Sequence, residues 1–588
     1  MTMKFQRLSF WVLKILFIIN CISILILLLS LKKISNEIIL FPFLIILIFN
    51  LFIVLKRKYI YNLNYDKKTI LFSFFLSILF LLIMPINYCY YKLTIFNNIL
   101  ILNCIIKVLI SLSVFMSVFY ILVFLFSYTC HPSVNCSHMR KKLMLFIIII
   151  SILFICSTST GFYDWDFKYI WNISDDWDNW HTFGFNFLVY ICKVIFKSPY
   201  PIIIFNFILY IFFCDYSFKI IERVCKNKNI LLLYFLIILF TLVGFDQLRY
   251  ILKDVLFSLS FCILIVTIID YITLGKFNKK IIVNLFLFSV LTLLFRHGTL
   301  YLLFFIFMSI FILITYKKQY FYYIYFFINV TLIIVVYLII NYIGFNILNG
   351  RKYPLNFTYT IPIYQIGAFL DNGYVFSEND AKYLEQYLPI NYMKENFEKY
   401  NGDKLTRSWY ITEYETNAYT FDYSKLININ YKLLRSDPMF YVKSLLDLTN
   451  ILWKIEVDDR DYWPIEYTEY FYKFDWNLDE YLKDKTIMYK ESSVNVFIDF
   501  IINIFLKSFL FNMRVRGGIP LFILLVSLFI FIKKKRYLLM LPIFILLFWY
   551  ACLFLSIPAS ITRYCLPFTN IYPFVLCLSL GVSINNEN

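Results

Sequence analysis

Two short runs that alternate acid with indole, Asp164-Trp165-Asp166 and Asp176-Trp177-Asp178, carry the first chemistry legible in the chain. A D-x-D spacing presents two carboxylates to one metal ion or to one substrate hydroxyl. In glycosyl transfer, one carboxylate takes the proton from an acceptor hydroxyl as that oxygen attacks the anomeric carbon, while an indole face stacks on the sugar ring. Around these runs, residues 157–200 gather Asp164, Asp166, Asp175, Asp176 and Asp178 with Trp165, Trp171, Trp177, Trp180 and His181. The plainer alternative is a solvated acidic loop whose tryptophans anchor at a membrane interface.

A second constellation is cationic. Arg249, Lys253, Arg296 and Arg563 stand at the heads of apolar runs, on the side that the positive-inside bias disfavours. One reading is an ion-pair network, with Asp246 meeting Arg249 and Asp254 nearby. The other is a pocket for the phosphate of a lipid-linked donor, in which arginine supplies forked hydrogen bonds and lysine a point charge. Such groups also stabilise phosphate as a leaving group while its charge develops. A third constellation, Cys130-His131-Pro132-Ser133-Val134-Asn135-Cys136-Ser137-His138, has ligand types that suit zinc but not the spacing of a paired site, so a polar loop is the default. His181 and His297 fall on the same side as the acidic loop, placed to hydrogen-bond a substrate or to orient their neighbours.

These residues must be positioned by membrane helices. Of 588 residues 61% are hydrophobic, and the mean hydropathy is +0.73, which excludes a soluble protein. The net charge of +18 fits loops that face anionic lipid, and no nucleic-acid motif accompanies it. None of the 13 cysteines lies between 350 and 500, the longest polar segment, so a disulfide framework is not expected there, and the cysteines of the spans read as small apolar filler. The run 8–31 has no small-residue cleavage site after it and reads as an uncleaved anchor.

Lys and Arg set the orientation. Lys4, Arg7, Lys56, Arg57, Lys58, Lys67, Lys68, Arg140, Lys141 and Lys142 mark cytoplasmic ends. Spans near 9–31, 37–56, 69–88, 97–127 and 143–158 then deliver the acidic loop to the outer face. The amphipathic run 183–195 reads as a helix lying in the outer interface, because a span there would force Lys219, Arg223, Lys226 and Lys228 outside. Further spans are expected near 200–221, 229–244, 251–272, 281–295, 299–316, 320–345, 518–532, 537–556 and 564–582, with an interfacial segment at 494–511. The expected architecture is an all-α polytopic membrane protein of about 14 transmembrane helices, with both termini cytoplasmic.

Four regions follow. Residues 1–142 form an N-terminal four-helix extension; 143–346 form a membrane core with the acidic first outer loop 158–199; 347–495 form an extracytoplasmic soluble domain; and 496–588 hold the interfacial segment and last helices. The third region contains 23 of the 37 acidic residues, and its patterning predicts helices at 377–388 and 437–454, the second opened by Asp437-Pro438.

An acidic outer loop, then Asp178-Asn179-Trp180-His181-Thr182 leading an amphipathic helix, then Ser198-Pro199-Tyr200 opening a span, resembles the first outer loop of GT-C superfamily glycosyltransferases. The runs Gln247-Leu248-Arg249-Tyr250-Ile251-Leu252-Lys253-Asp254, Phe295-Arg296-His297-Gly298, Pro362-Ile363-Tyr364-Gln365-Ile366 and Arg563-Tyr564-Cys565-Leu566-Pro567 are similar to a bacterial branch of large multi-spanning proteins with that layout. The resemblance covers roughly 143–582. It implies transfer of a sugar from a polyprenyl-phosphate-linked donor to a cell-surface glycan, lipid or protein, with Asp166 as first choice for the base and Asp164 as second. Substrate contacts would come from Asp176, Asp178, His181, Gln247, Arg249, Lys253, Asp254, Arg296, His297 and Arg563. Some members require a divalent metal (Mg or Mn) and others do not. Two departures stand out: His181 is followed by Thr182 where the family usually has proline, and His297 stands where the branch commonly has Asn. Two other classes are a surface-polysaccharide polymerase or ligase, relying on outer-loop arginines and a histidine, and a transporter or flippase. The last predicts charged residues near the midplane, for which Lys107 is the main candidate.

Overall fold

The computed structural model describes residues 67–83, 118–119, 121–122, 125, 136–157, 171, 182–240, 247–350, 359–387, 389–406, 423–454, 516–558 and 562–583. In chain order the helices are α1 (Lys67–Ile83), α2 (Cys136–Ser157), α3 (Phe183–Ile191, extended by a π turn Cys192–Phe196), α4 (Tyr200–Cys225), α5 (Lys228–Phe240) and α6 (Lys253–Leu274). Next come α7 (Lys279–Phe295), α8 (Thr299–Tyr316), α9 (Tyr322–Tyr342, with a π turn Ile343–Ile347), α10 (Thr360–Asp371), α11 (Glu378–Tyr387), α12 (Ile390–Asn396) and α13 (Asp403–Thr406). The series ends with α14 (Tyr423–Ser436), α15 (Pro438–Leu448), α16 (Asn450–Trp453), α17 (Gly518–Lys533), α18 (Met540–Phe554) and α19 (Leu566–Gly581), the last preceded by a 3₁₀ turn Thr562–Cys565.

Six described helical stretches are long and apolar enough to cross a membrane: Tyr200–Cys225, Lys253–Leu274, Thr299–Tyr316, Tyr322–Ile347, Tyr537–Phe554 and Arg563–Gly581. All coincide with expected spans. The expected spans near 9–31 and 37–56, most of 97–127 and the segment 494–511 lie outside the described residues.

Helix α6 organises the bundle. Its sequence is apolar on every side between Asp254 and Asp270, the pattern of a helix wrapped by others, and every residue from Asp254 to Tyr271 is buried. Helices α4, α7, α18 and α19 pack around it. Asp270 falls near its C-terminal end, where the helix dipole disfavours a carboxylate. Two donors offset this: Arg223 Nη2 at 2.6 Å and the Tyr216 hydroxyl at 2.7 Å, both from α4. Lys317 donates to the carbonyls of Tyr271 and Ile272 at 3.2 and 3.0 Å, and Lys534 to those of Ser579 and Leu580 at 2.9 and 2.7 Å. The last carbonyls of α6 and α19 thereby gain partners that their helices cannot supply.

At the same end of the bundle, Arg140 of α2 bridges Asp215 and Glu222 of α4 at 2.8 and 2.7 Å. Lys533 reaches Thr69 of α1 at 2.6 Å. Helix ends that the Lys/Arg pattern assigns to one side therefore meet one another. Helix α9 is peripheral: only 6% of its most apolar stretch is buried, and it turns Phe327, Ile328, Leu332, Val335 and Leu338 outward.

Helix α3 with its π turn spans 14 residues, about 21 Å at 1.5 Å per residue, too short to cross a ~30 Å hydrocarbon layer. It packs against α7 and α9. A Cβ on Gly184 would lie 2.6 Å from the Leu294 Cβ, so glycine permits the close approach to α7.

Residues 359–454 build a second, smaller core on α10, where Ile363, Ile366, Phe369 and Leu370 meet Leu384, Met393, Leu405, Leu426, Ile429 and Leu433. Both expected helices are present as α11 and α15. Asp437 caps α15, accepting from the Phe440 N–H at 2.9 Å, with Pro438 in the first turn. The expected single helix 437–454 breaks at Thr449 and resumes as α16, whose Ile451 and Leu452 belong to the membrane bundle's core. The polar residue of the Pro362–Ile366 motif has a structural part: buried Gln365 accepts from Ser444 at 2.5 Å and donates to the Tyr441 carbonyl at 3.4 Å, tying α10 to α15.

Two predictions follow from these contacts. Arg223→Ala leaves Asp270 its Tyr216 hydrogen bond but removes the guanidinium at the unfavourable end of α6, and should cost roughly 1–3 kcal/mol, the range for a buried pair discounted for a partly exposed arginine. Adding Asp270→Asn should recover part of that loss in detergent thermal unfolding; equal unfolding of the single and double variants would refute the pairing. In the smaller core, burial works to raise the Asp380 carboxyl, but hydrogen bonds from Lys432 and Ser377 and the lysine's charge outweigh it and hold it below its ordinary 3.8. The contribution of this pair to stability, about 0.5 kcal/mol, is complete above the ordinary value and is lost as pH falls through the folded one. Acid unfolding of Asp380→Asn should lack that component.

Candidate functional site

The other end of the bundle holds the cations singled out in the sequence. Asp254 opens the first turn of α6, where the helix dipole favours a carboxylate. It is 3% exposed and receives the Arg296 guanidinium in a direct salt bridge, with Arg563 Nε 3.8 Å from its other oxygen. Arg296 sits where α7 ends, its backbone already extended at φ −148° and ψ 135°. Its guanidinium lies over three rings, 5.3 Å from Phe257, 5.6 Å from Trp549 and 5.0 Å from Tyr564. The Tyr564 ring also carries Arg563, at 5.6 Å. Planar guanidinium suits such stacking, and lysine would not reproduce it.

Local sequence explains the placements. Arg296-His297-Gly298 reverses the chain between α7 and α8: Gly298 takes φ 75°, a left-handed conformation open to glycine, and Thr299 donates to the Arg296 carbonyl at 2.9 Å. Arg249 lies in the turn before α6 and is 1% exposed. Asn206 of α4 donates to the carbonyls on either side of it, Leu248 at 3.1 Å and Tyr250 at 3.2 Å, fixing the backbone from which that side chain departs. One turn into α6, Ser258 accepts from Asn570 of α19 at 3.0 Å, so α19 is registered against α6 just below Asp254.

The smaller domain grips the chain on either side of Arg563. Gly402 N–H donates to the Pro558 carbonyl at 2.8 Å, before Arg563; the Ile451 carbonyl accepts from the Cys565 thiol at 3.5 Å, after it. Ile451 also accepts from Gly517 N–H at 2.8 Å, and the Gly517 carbonyl accepts from the Tyr550 hydroxyl at 2.7 Å. A Cβ on Gly517 would lie 2.4 Å from the Leu452 oxygen, which is why glycine occupies the contact.

Of the residues expected to act together, the structure joins Asp254, Arg296 and Arg563, with Lys253 as the neighbouring first residue of α6. Gln247 and Arg249 occupy the turn before that helix, and His297 is exposed on the turn after α7. Asp164, Asp166, Asp176, Asp178 and His181 lie outside the described residues, as do Asp246, Lys107 and most of the Cys130–His138 loop. Of the loop tryptophans, Trp171 is described: it is 1% exposed, its carbonyl accepts from Lys193 at 2.7 Å, and the same ammonium lies 6.0 Å from its indole ring. Among the described residues no three His, Cys, Asp or Glu side chains gather as metal ligands.

Sequence reasoning missed Arg516, fully buried and beside the Cys565 thiol. The criterion that selected the other arginines, a cation at the head of an apolar run, would have found it. It also missed Asn206 and Trp549, which no spacing rule flags; Tyr564 fell within the Arg563–Pro567 run without a role of its own. Comparison of the chain with protein-family models, curated proteins and solved structures returns no match.

Asp254→Asn leaves two guanidinium groups at a buried site without their carboxylate and should cost about 3–5 kcal/mol. Arg563→Ala, which keeps the Asp254–Arg296 contact, should cost about 1 kcal/mol. Thermal unfolding of the two variants in detergent checks the order, and a reversed order would mean that Asp254 is not the hub.

Proposed function

We propose that this chain is a membrane glycosyltransferase of GT-C type, moving a sugar from a polyprenyl-phosphate-linked donor to a cell-surface acceptor at the outer face of the cell membrane. The single observation that supports it is the set of arginines at one end of the bundle, with Arg296 and Arg563 organised by Asp254 and a box of aromatic rings. Both chain termini are then cytoplasmic, and the arginine end faces outward.

The reaction assigns different parts to these cations. Arg296, held by Asp254 and three rings, is a positioning group. Arg563 and Lys253 are the donor-phosphate contacts, arginine through forked hydrogen bonds and lysine as a point charge, and Arg249, 1% exposed, adds buried positive charge beside them. Asp166, or failing it Asp164, takes the proton of the acceptor hydroxyl. The acceptor oxygen bonds to the anomeric carbon, the bond from that carbon to the phosphate oxygen breaks, and its electron pair leaves with the phosphate, whose developing charge the guanidinium groups stabilise. The smaller domain, joined through Gly402 to the chain before Arg563, takes part in acceptor selection.

A second reading, a surface-polysaccharide polymerase or ligase, is favoured by one observation: arginines and His297 occur at the same end of the bundle. The experiment is sugar transfer from synthetic lipid-phosphate donors in detergent. Asp166→Asn or Asp164→Asn should lower the rate by about 10²–10⁴, and Arg563→Ala should weaken donor binding about tenfold or more. Full transfer in both aspartate variants, with loss in Arg563→Ala, would move the assignment to the second reading.

A further inference from the structure

Helices α14 and α15 form a pair joined by Asp437 alone, and both leave apolar side chains uncovered. On α14, Ile427, Tyr431 and Leu434 follow the i, i+4, i+7 spacing of one helical stripe and are 55, 48 and 38% exposed. On α15, Met439 is 80% and Val442 49% exposed. The opposite side of α14, through Leu426, Ile429 and Leu433, is committed to the domain's core. Among the described residues, the outward stripe is therefore a second apolar face that the domain itself does not use.

Charge distinguishes this pair from the rest of its domain. Residues 347–495 carry 23 acidic side chains against 17 basic ones, yet residues 423–448 reverse the balance, with Lys425, Lys432, Arg435 and Lys443 against Asp437 and Asp447. All four basic side chains are exposed. Arg435 stacks on Tyr431 at 4.4 Å, so an aromatic ring of the stripe and a cation of its rim present one combined surface. Position completes the case. Helix α15 runs directly into α16, whose Ile451 and Leu452 are buried in the membrane bundle. Met439 stands ten residues before Thr449, about 15 Å along a helix, within reach of the headgroup layer that flanks the hydrocarbon.

We propose that α14 and α15 dock on the membrane surface, with Ile427, Tyr431, Leu434, Met439 and Val442 in the interface and Arg435 and Lys443 against anionic lipid headgroups, while Lys425, over the Tyr383 ring at 5.5 Å, and Lys432, paired with Asp380, face α11. Apolar residues with a basic rim are what an interfacial helix presents to such a surface. The proposal does not depend on sugar transfer. Docking would hold the smaller domain down on the lipid, close to the chain around Arg563 that it grips.

The test uses the full chain in nanodiscs of phosphatidylcholine and phosphatidylglycerol that contain a photoactivatable phosphatidylglycerol, with adducts mapped by mass spectrometry. Adducts are expected on residues 427–442 and not on the acidic helix α11. The double variant Arg435→Gln/Lys443→Gln should lower the yield at least about fivefold, the effect of losing one basic contact with an anionic surface. Met439→Glu/Val442→Glu should lower it as well, while adducts on lipid-facing α9 stay constant and report intact folding. Absence of adducts on 427–442 while α9 is labelled would overturn the proposal. So would cross-links from this stripe to a second copy of the chain in place of lipid.

Discussion

A helix buried along its whole length, with a carboxylate near each end, sets the terms for the rest of the bundle. Between Asp254 and Asp270, α6 presents apolar side chains to neighbours on all sides, and both aspartates are themselves buried. A buried charge without a partner costs several kcal/mol, so each end requires cations from other helices. The two ends meet that need differently. At Asp254 the helix dipole already helps, and Arg296 and Arg563 converge from α7 and from the turn before α19. At Asp270 the dipole opposes, and α4 supplies both an arginine and a tyrosine hydroxyl. These contacts fix how α4, α7 and α19 are registered against α6 along its axis.

The same pairing shapes what the Asp254 end can do. A guanidinium packed by a carboxylate and three rings is rigid, and its neighbours inherit that order: Tyr564 carries both Arg296 and Arg563 on its ring system. Contacts from Gly402, before Arg563, and Ile451, after it, extend that order into the smaller domain. A site meant to recognise an anion gains from donors held in place before the anion arrives, because little reorganisation is then needed as charge develops.

Much of this was legible in the sequence, for physical reasons. Long apolar runs and the side on which lysines collect located α4, α6, α7, α8, α9, α17, α18 and α19, because hydrocarbon imposes helix and length together. The cations at the heads of spans were legible because they break the charge rule. Their partner was legible in part: Asp254 stood out as a nearby acid, but its reach of 42 residues to Arg296 follows only from the packing of α7 on α6. Asp246, the partner expected for Arg249, lies outside the described residues. The break at Thr449 and the insertion of α16 into the bundle are not legible because the run 437–454 is helical by pattern, while Ile451 and Leu452 meet the Gly517 backbone, a partner distant in sequence. Arg516 is legible by the same rule, a cation at the head of an apolar run; Tyr564 and Trp549 acquire meaning only from the arginine that stacks on them.

Sugar transfer as proposed requires the acidic loop and the arginine end to share one cleft. Placing p-benzoylphenylalanine at position 166 of the full chain in membranes, irradiating, and mapping the adducts by mass spectrometry reads that proximity. Attachment is expected to peptides that contain 247–254, 296–298 or 563–565. Attachment confined to 276–280 or 533–536, at the opposite end of the bundle, would contradict it.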